Sequence, residues 1–330
     1  MIISKTPFRV SFFGGGTDYP SWYENYDGAV LSTTIDKYCY ISVRYLPPFF
    51  EHKHRIVYGK IENVKHINKI QHPVVKALLK LSRIKNGLEV HHDGDLPARS
   101  GIGSSSAFTV GLINVLCALK GKMVSKDYLA KQAIFTERHI LKESVGSQDQ
   151  VAVAYGGFNK IIFHADHNFR VVPITLHKEK IKHLQSHLML FFTGFSRYSS
   201  EIAHTQVKNT GNNNKELSAM ADMVNYAVEI LNGNSSIIKF GKLLHESWQL
   251  KKSLSERISN PVIDKMYQRA LSNGAVGGKI LGAGGGGFML LFVSPEKQDK
   301  LRQALKDFLE VKFAFEKDGS QIIYYNLQEI

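Results

Sequence analysis

Between Pro97 and Ala107 the chain reads Pro-Ala-Arg-Ser-Gly-Ile-Gly-Ser-Ser-Ser-Ala, set between a strand-like stretch and a long apolar run. Glycines at 101 and 103 let backbone N–H groups turn toward one point. A helix start adds unpaired N–H groups and partial positive charge, and the combination suits phosphate. The hydroxyls of Ser104, Ser105 and Ser106 add groups that bond phosphate oxygens or ligate Mg²⁺. A tight turn with one serine cap needs neither three serines nor two glycines, so anion binding is the stronger reading. The segment is not a Walker A loop, because no Gly-x4-Gly-Lys-Ser/Thr string occurs.

Four further features carry chemistry. Gly282, Gly284 and Gly287 match dinucleotide-fold spacing, but a strand pattern follows instead of a helix. The run is better read as a loop that something approaches closely, set against a plain glycine turn. Glu137 falls on the apolar face formed by Ala130, Ala133, Ile134, Ile140 and Leu141. A glutamate there needs a cation, either a basic partner or a metal, and the phosphate loop tips the choice toward Mg²⁺. Asp149, in Gly-Ser-Gln-Asp-Gln, is a candidate general base or an Asx-turn former. Arg9 precedes Gly14, Gly15, Gly16, Thr17, Asp18 and Tyr19, which reads equally as a polyol site or as a strand end with a capped turn.

The elements that must position these groups follow from periodicity. Residues 8–13 and 33–45 read as strands, 46–72 as an irregular excursion, 72–81 as a helix and 88–92 as a strand. Residues 108–119 form a buried helix stopped by Gly121, and Ser125 caps a helix reaching about 142. A hairpin pairs 158–163 with 170–176, and 188–193 is another strand. Helices are expected over 196–209, 216–231, 236–254 and 261–273, with a mobile loop at 210–214. The end reads strand 278–281, glycine loop, strand 288–293, helix 295–309, and strands 311–315 and 321–325. This is an α+β pattern, with a boundary expected near 180 that gives domains 1–180 and 181–330.

Composition narrows the function classes. The 330 residues, 43% apolar and 22% charged, are ordinary for a globular protein of two domains. No apolar run reaches membrane-spanning length, and the start lacks a signal-peptide core, so a cytoplasmic enzyme is expected, with no membrane partner. Two cysteines, Cys39 and Cys117, exclude a disulfide framework or zinc cluster. The net charge of +13 suits anionic ligands. The basic residues are scattered singly, so small phosphorylated ligands are favoured over nucleic acid.

In this order, residues 7–19, 97–107 and 279–288 resemble the three motifs of the GHMP small-molecule kinases, the superfamily of galactokinase, homoserine kinase, mevalonate kinase and phosphomevalonate kinase. The resemblance implies a ribosomal-S5-like N-terminal domain and a ferredoxin-like C-terminal domain, with ATP and acceptor between them. It implies that residues 101–107 wrap the ATP phosphates, that Ser105 and Glu137 hold Mg²⁺, and that Asp149 takes the acceptor's proton. Arg9 would stabilise charge near the reacting hydroxyl, with Gly15, Gly16, Thr17, Asp18, Gly284 and Gly285 against the substrate.

Phe8 replaces a glycine of the galactokinase pattern, and Gly15 and Gly16 replace two sugar-contacting side chains, which puts galactose in doubt and leaves room for a larger sugar. The strings at 12–20, 95–108 and 146–150 look like those of the D-glycero-D-manno-heptose 7-phosphate kinases, which phosphorylate the anomeric hydroxyl on the way to GDP-heptose for surface polysaccharide. Arg44, Arg55 and Arg197 are candidates for holding the sugar's existing phosphate.

Overall fold

The computed structural model describes residues 1–194 and 213–327. The helix expected over 196–209, Arg197 and residues 210–212 of the expected loop lie outside the described residues. The first sheet is built on two long strands, β1 (Ile2–Phe13) and β2 (Gly28–Tyr45), with a short helix α1 (Pro20–Tyr23) between them. The excursion contains a hairpin, β3 (His54–Val57) and β4 (Ile61–Val64), then α2 (Pro73–Ser82) and β5 (Leu88–Gly94). Next come α3 (Ser104–Leu119), α4 (Lys126–Phe135) with a π-turn over Thr136–Ile140, and α5 (Gln148–Tyr155). The hairpin of β6 (Phe158–Phe163) and β7 (Phe169–Pro173) pairs with the first half of β2, and β5 pairs with the second half.

The second half of the chain supplies α6 (Lys178–Ser186), β8 (Leu188–Phe192), α7 (Asn214–Asn232), α8 (Ile238–Ser253) and α9 (Pro261–Ser272). It continues through β9 (Ala275–Ile280), β10 (Phe288–Val293), α10 (Gln298–Ala304) and the short strand β11 (Leu309–Glu310). Its sheet is antiparallel in the order β11-β8-β10-β9. That order is the split βαβ arrangement of a ferredoxin-like unit, as expected. The expected helix 295–309 is shorter, because a 3-10 turn at Pro295–Lys297 precedes α10.

The expected cut at 180 falls inside α6, just before the second sheet begins. One cut does not divide the sheets, however, because β12 (Phe315–Glu316) and β13 (Gln321–Tyr325) return to pair with β2 and β1. Among the described residues no helix is long and apolar enough to cross a membrane.

Burial explains how β1 positions the site. Its last eight residues, from Thr6, are all buried, as in a strand covered on both faces. The helix α3 lies close on one side, where Ser4 Oγ donates to Gly111 O at 3.1 Å. An aromatic seam joins the two halves. Phe12 of β1 meets Phe158 at 5.7 Å, Phe240 of α8 at 5.5 Å and Phe315 of β12 at 6.2 Å between ring centroids. The two edge-on pairs, with Phe158 and Phe240, add about 0.5–1.5 kcal/mol each beyond their buried area. The seam fixes the second half against the strand that carries Arg9.

Candidate active site

The loop expected to bind phosphate runs from β5 to α3. Arg99, Gly101 and Gly103 all have positive φ, at 60°, 81° and 74°. The N-cap of α3 is Gly103, with no side-chain hydrogen bond, so no serine caps the helix and its first N–H groups are left for a ligand. Each serine has another place. Ser104 Oγ accepts from Arg99 N at 3.0 Å and closes the loop, Ser106 Oγ donates to Glu137 at 3.0 Å, and Ser105 is exposed. Ile102 is fully buried, and its carbonyl accepts from Arg9 N at 3.0 Å.

Arg9 and Asp149 meet beneath this loop. The Arg9 guanidinium donates from Nε and Nη2 to the two Asp149 carboxylate oxygens, each at 2.8 Å, and from Nη1 to Gly101 O at 2.6 Å. Arg9 is 2% exposed, whereas the Asp149 side chain keeps 29% of its surface open. A Cβ on Gly103 would lie 3.1 Å from Arg9 Cγ and 3.6 Å from Asp149 Oδ2, so the loop passes directly over the pair.

The glycine turn after β1 is organised by Asp18. Its carboxylate accepts from Gly16 N at 2.9 Å and from Gln148 N at 3.3 Å. Burial pushes its proton affinity up, while those two N–H groups pull it back down. Asp18 therefore ties the turn to the start of α5. Thr17 is fully buried, and its hydroxyl faces Gly14 O at 2.8 Å and Ala29 O at 2.9 Å, so the structure gives it to the turn and not to a ligand. Gly15 and Gly16 are half-buried, and a Cβ on Gly15 would approach only Ser11 Oγ, at 3.9 Å.

Glu137 sits on the π-turn, 1% exposed. One carboxylate oxygen accepts from Ser106 Oγ and, at 2.5 Å, from Gln150 Nε2, while Oε1, with the Thr109 hydroxyl nearby, makes no hydrogen bond of normal geometry among the described residues. Among the described residues no basic side chain pairs with it, so the ion-pair reading is not what the structure shows. Burial, more than any neighbour, pushes its pKa up to about 7. An orphaned, buried carboxylate oxygen fits a divalent cation. No cluster of three or more His, Cys, Asp or Glu is placed to hold a metal among the described residues, so the remaining ligands would be water and phosphate oxygens, as suits Mg²⁺. The hydroxyl that reaches Glu137 is that of Ser106, one residue beyond the expected Ser105.

Two lysines were not anticipated. Lys251 of α8 is 4% exposed and donates from Nζ to Gly282 O. Lys279 of β9 is 1% exposed and donates to Phe12 O at 2.9 Å. Burial pushes the Lys251 ammonium down to about 8, helped by Arg9 and opposed by Asp18 and Asp149, and it holds Lys279 well below the usual range. The signal was present, since Phe240, Leu244, Trp248 and Lys251 recur at helical spacing on the buried face of α8.

The second glycine loop meets the first through backbone. A Cβ on Gly101 would strike the Leu281 carbonyl, one on Gly282 would strike Gly101, and Phe288 N donates to Ser100 O at 3.2 Å. Gly284 and Gly285, expected against the substrate, instead lie on the turn at Ile258, whose carbonyl accepts from Gly285 N at 2.8 Å. Arg44 and Arg55 are also placed elsewhere. Both pair with Glu89, at 2.5 and 3.6 Å. Arg9 lies opposite Thr34, so Arg44 is roughly 30 Å further along β2 at about 3.3 Å per residue.

Comparison with known proteins decides what this geometry belongs to. The family model for the GHMP kinases N terminal domain matches residues 68–157, and that for the GHMP kinases C terminal domain matches residues 227–311. The chain is a GHMP kinase. It is 29% identical to the D-glycero-alpha-D-manno-heptose 7-phosphate kinase of Campylobacter jejuni, over 96% of this chain and 97% of that protein. It is 26% identical to the galactokinase of Pyrococcus furiosus, over 95% of each chain. Its fold is similar to a D-glycero-D-manno-heptose 1-phosphate kinase from Bacteroides thetaiotaomicron, with a TM-score of 0.80 and 22% identity over 99% of this chain and 100% of that one. Like its GHMP relatives, this kinase is a phosphotransferase acting on an alcohol group.

Proposed function

We propose that this GHMP kinase transfers the γ-phosphoryl group of ATP to the C1 hydroxyl of D-glycero-D-manno-heptose 7-phosphate, giving the 1,7-bisphosphate used for GDP-heptose and surface polysaccharide. The observation that carries the reading is the Asp149 carboxylate, partly open and held by Arg9 directly beneath the phosphate loop. The acceptor oxygen attacks the γ-phosphorus, the bond to the bridging oxygen of ADP breaks, and the hydroxyl proton leaves toward Asp149. Such transfers need positioning and charge neutralisation more than covalent help from the protein.

The residues divide the work. Residues 101–107 present backbone N–H groups to the ATP phosphates, and Arg9 faces the charge that builds up during transfer. Glu137 and the serine hydroxyls at the start of α3 hold Mg²⁺, which neutralises phosphate charge when bound. The lack of side chains at Gly15 and Gly16 supports an acceptor larger than a hexose, and the heptose 7-phosphate kinase similar along the whole chain supports its identity. The kinase would act in the cytoplasm.

Product NMR tests the proposal. Incubation with Mg-ATP and the heptose 7-phosphate should give an anomeric proton newly coupled to phosphorus. An unchanged anomeric signal, or a phosphate on another carbon, would overturn it.

A further inference from the structure

Four buried ionisable groups and one partly open one converge near the two glycine loops: Arg9, Lys251, Lys279 and Asp18, with Asp149 at the open edge. The count leaves one positive charge over. Arg9 and Asp149 satisfy one another, and Asp18 is bonded by backbone N–H groups. Lys251 interacts electrostatically with Arg9, Asp18 and Asp149 yet forms no ion pair among the described residues. Its one hydrogen-bond partner there is Gly282 O, which uses one of three ammonium donors.

A buried ammonium that attracts two carboxylates without touching either is not neutralised by direct contact. Holding one carbonyl does not require a charge, since a neutral amide donor would do so without the cost of burying one. The group that fits the excess charge is an anion delivered between the loops.

We propose that Lys251 is a further catalytic residue, whose ammonium donates to the oxygens of the phosphoryl group as it passes from ATP to the acceptor. Gly282, its resting partner, packs on Gly101 of the phosphate loop, so a lysine on Gly282 stands beside the path of the phosphates. The inference rests on phosphoryl transfer as such and not on which sugar accepts.

The test compares the full-length chain with Lys251→Gln, which keeps a donor for Gly282 and removes the charge, and with Lys251→Arg, which keeps the charge. Lys251→Gln should melt near the parent, bind AMP-PNP within about threefold, and lose about 10²-fold in kcat, on the scale of removing one preorganised donor. Lys251→Arg should recover at least about tenfold of that loss. A folded Lys251→Gln that keeps kcat within about threefold overturns the proposal, as does equal loss of AMP-PNP binding and kcat that Arg does not restore.

If Lys251→Gln fails to fold, the parent's kcat/KM between pH 6.5 and 9.5 decides. The ammonium faces Arg9 of β1, Asp18 of the turn, Asp149 of α5 and Lys279 of β9, and it loses its charge above about pH 8 in the free enzyme. An alkaline fall there, moved beyond pH 9 in Lys251→Arg, supports the assignment, and a flat profile overturns it. If the parent phosphorylates none of the sugars offered, the proposed acceptor has failed and Lys251 has not. The variants are then compared on slow transfer from ATP to water, where a tenfold loss in Lys251→Gln supports the role and equal rates overturn it.

Discussion

Asp149 and Arg9, 140 residues apart in the chain, share a two-point ion pair in which Nε and Nη2 of the arginine reach the two carboxylate oxygens at 2.8 Å each. The arginine is enclosed by β1 and the phosphate loop, and the carboxylate keeps its outer edge open. One side chain thus orients the other at the point where the loop crosses them. A bidentate guanidinium fixes the carboxylate plane as a lysine would not.

Asp149→Asn should therefore damage turnover more than binding. We expect kcat to fall about 10²–10³-fold while AMP-PNP affinity stays within about threefold. Thermal stability should fall too, since Arg9 is left buried without a full countercharge, a change that costs about 3–5 kcal/mol when a pair is fully buried and less here. Steady-state kinetics, nucleotide titration and a melting curve read the three effects. Unchanged kcat would remove Asp149 from the reaction.

Glu137 gives a pH dependence with a definite sign. Its pKa lies above the unfolded value, at about 7, because burial disfavours the carboxylate. Its contribution to the metal-free protein is therefore present below about pH 4.5 and is lost as pH rises to about 7. Glu137→Gln removes this titration. Relative to the parent, the variant should gain stability between pH 5 and 8, by about 3 kcal/mol at most, while needing at least tenfold more Mg²⁺ for half-maximal rate. Denaturant melts at the two pH values and Mg²⁺ titrations check both halves. A parallel pH response in the two proteins would contradict the assignment.

The neighbouring serines separate the cation's hydroxyl ligand. Ser106 Oγ reaches Glu137 at 3.0 Å, while Ser105 is exposed at the opening turn of α3. If the resting contact marks the ligand, Ser106→Ala should raise the Mg²⁺ requirement several-fold and Ser105→Ala should leave it within about twofold. The reverse ranking would show that the helix start rotates by one residue when nucleotide arrives.

Gly101→Ala tests the contact between the two loops. The residue has φ +81°, and a Cβ there would meet the Leu281 carbonyl carbon at 2.8 Å. Backbone cannot yield as a side chain does, so the variant should lose at least about tenfold in ATP affinity and about 1–3 kcal/mol in stability. Isothermal titration and thermal melts measure both, and parent-like values would mean that the loops do not need this proximity.

Legibility in the sequence followed locality. The glycine-serine turn onto a buried helix was legible because its residues are eleven in a row, and the burial of Glu137 because an acid on an apolar stripe is anomalous. The contact of Ser106 with Glu137 was not legible, because it joins the start of α3 to a π-turn at Thr136–Ile140, 31 residues away in the chain. Lys251 obeys the same stripe logic and was missed, since a lysine's long stem ordinarily lets its charge escape to water. The eight residues of α5 carry no clear apolar period, so the element that aims Asp149 was not foreseen. The return of β12 and β13 to the first sheet, and the approach of Gly282 to Gly101, join residues far apart in the chain, and no local pattern encodes them.

The most direct test of the account is kcat/KM, from ADP release with Mg-ATP, across D-glycero-D-manno-heptose 7-phosphate, the unphosphorylated heptose, mannose, galactose, fucose and mevalonate. The account predicts the heptose 7-phosphate to exceed every other acceptor by at least about 10²-fold. Comparable turnover of a free hexose or of mevalonate would contradict it, and would leave a GHMP kinase whose acceptor is some other alcohol.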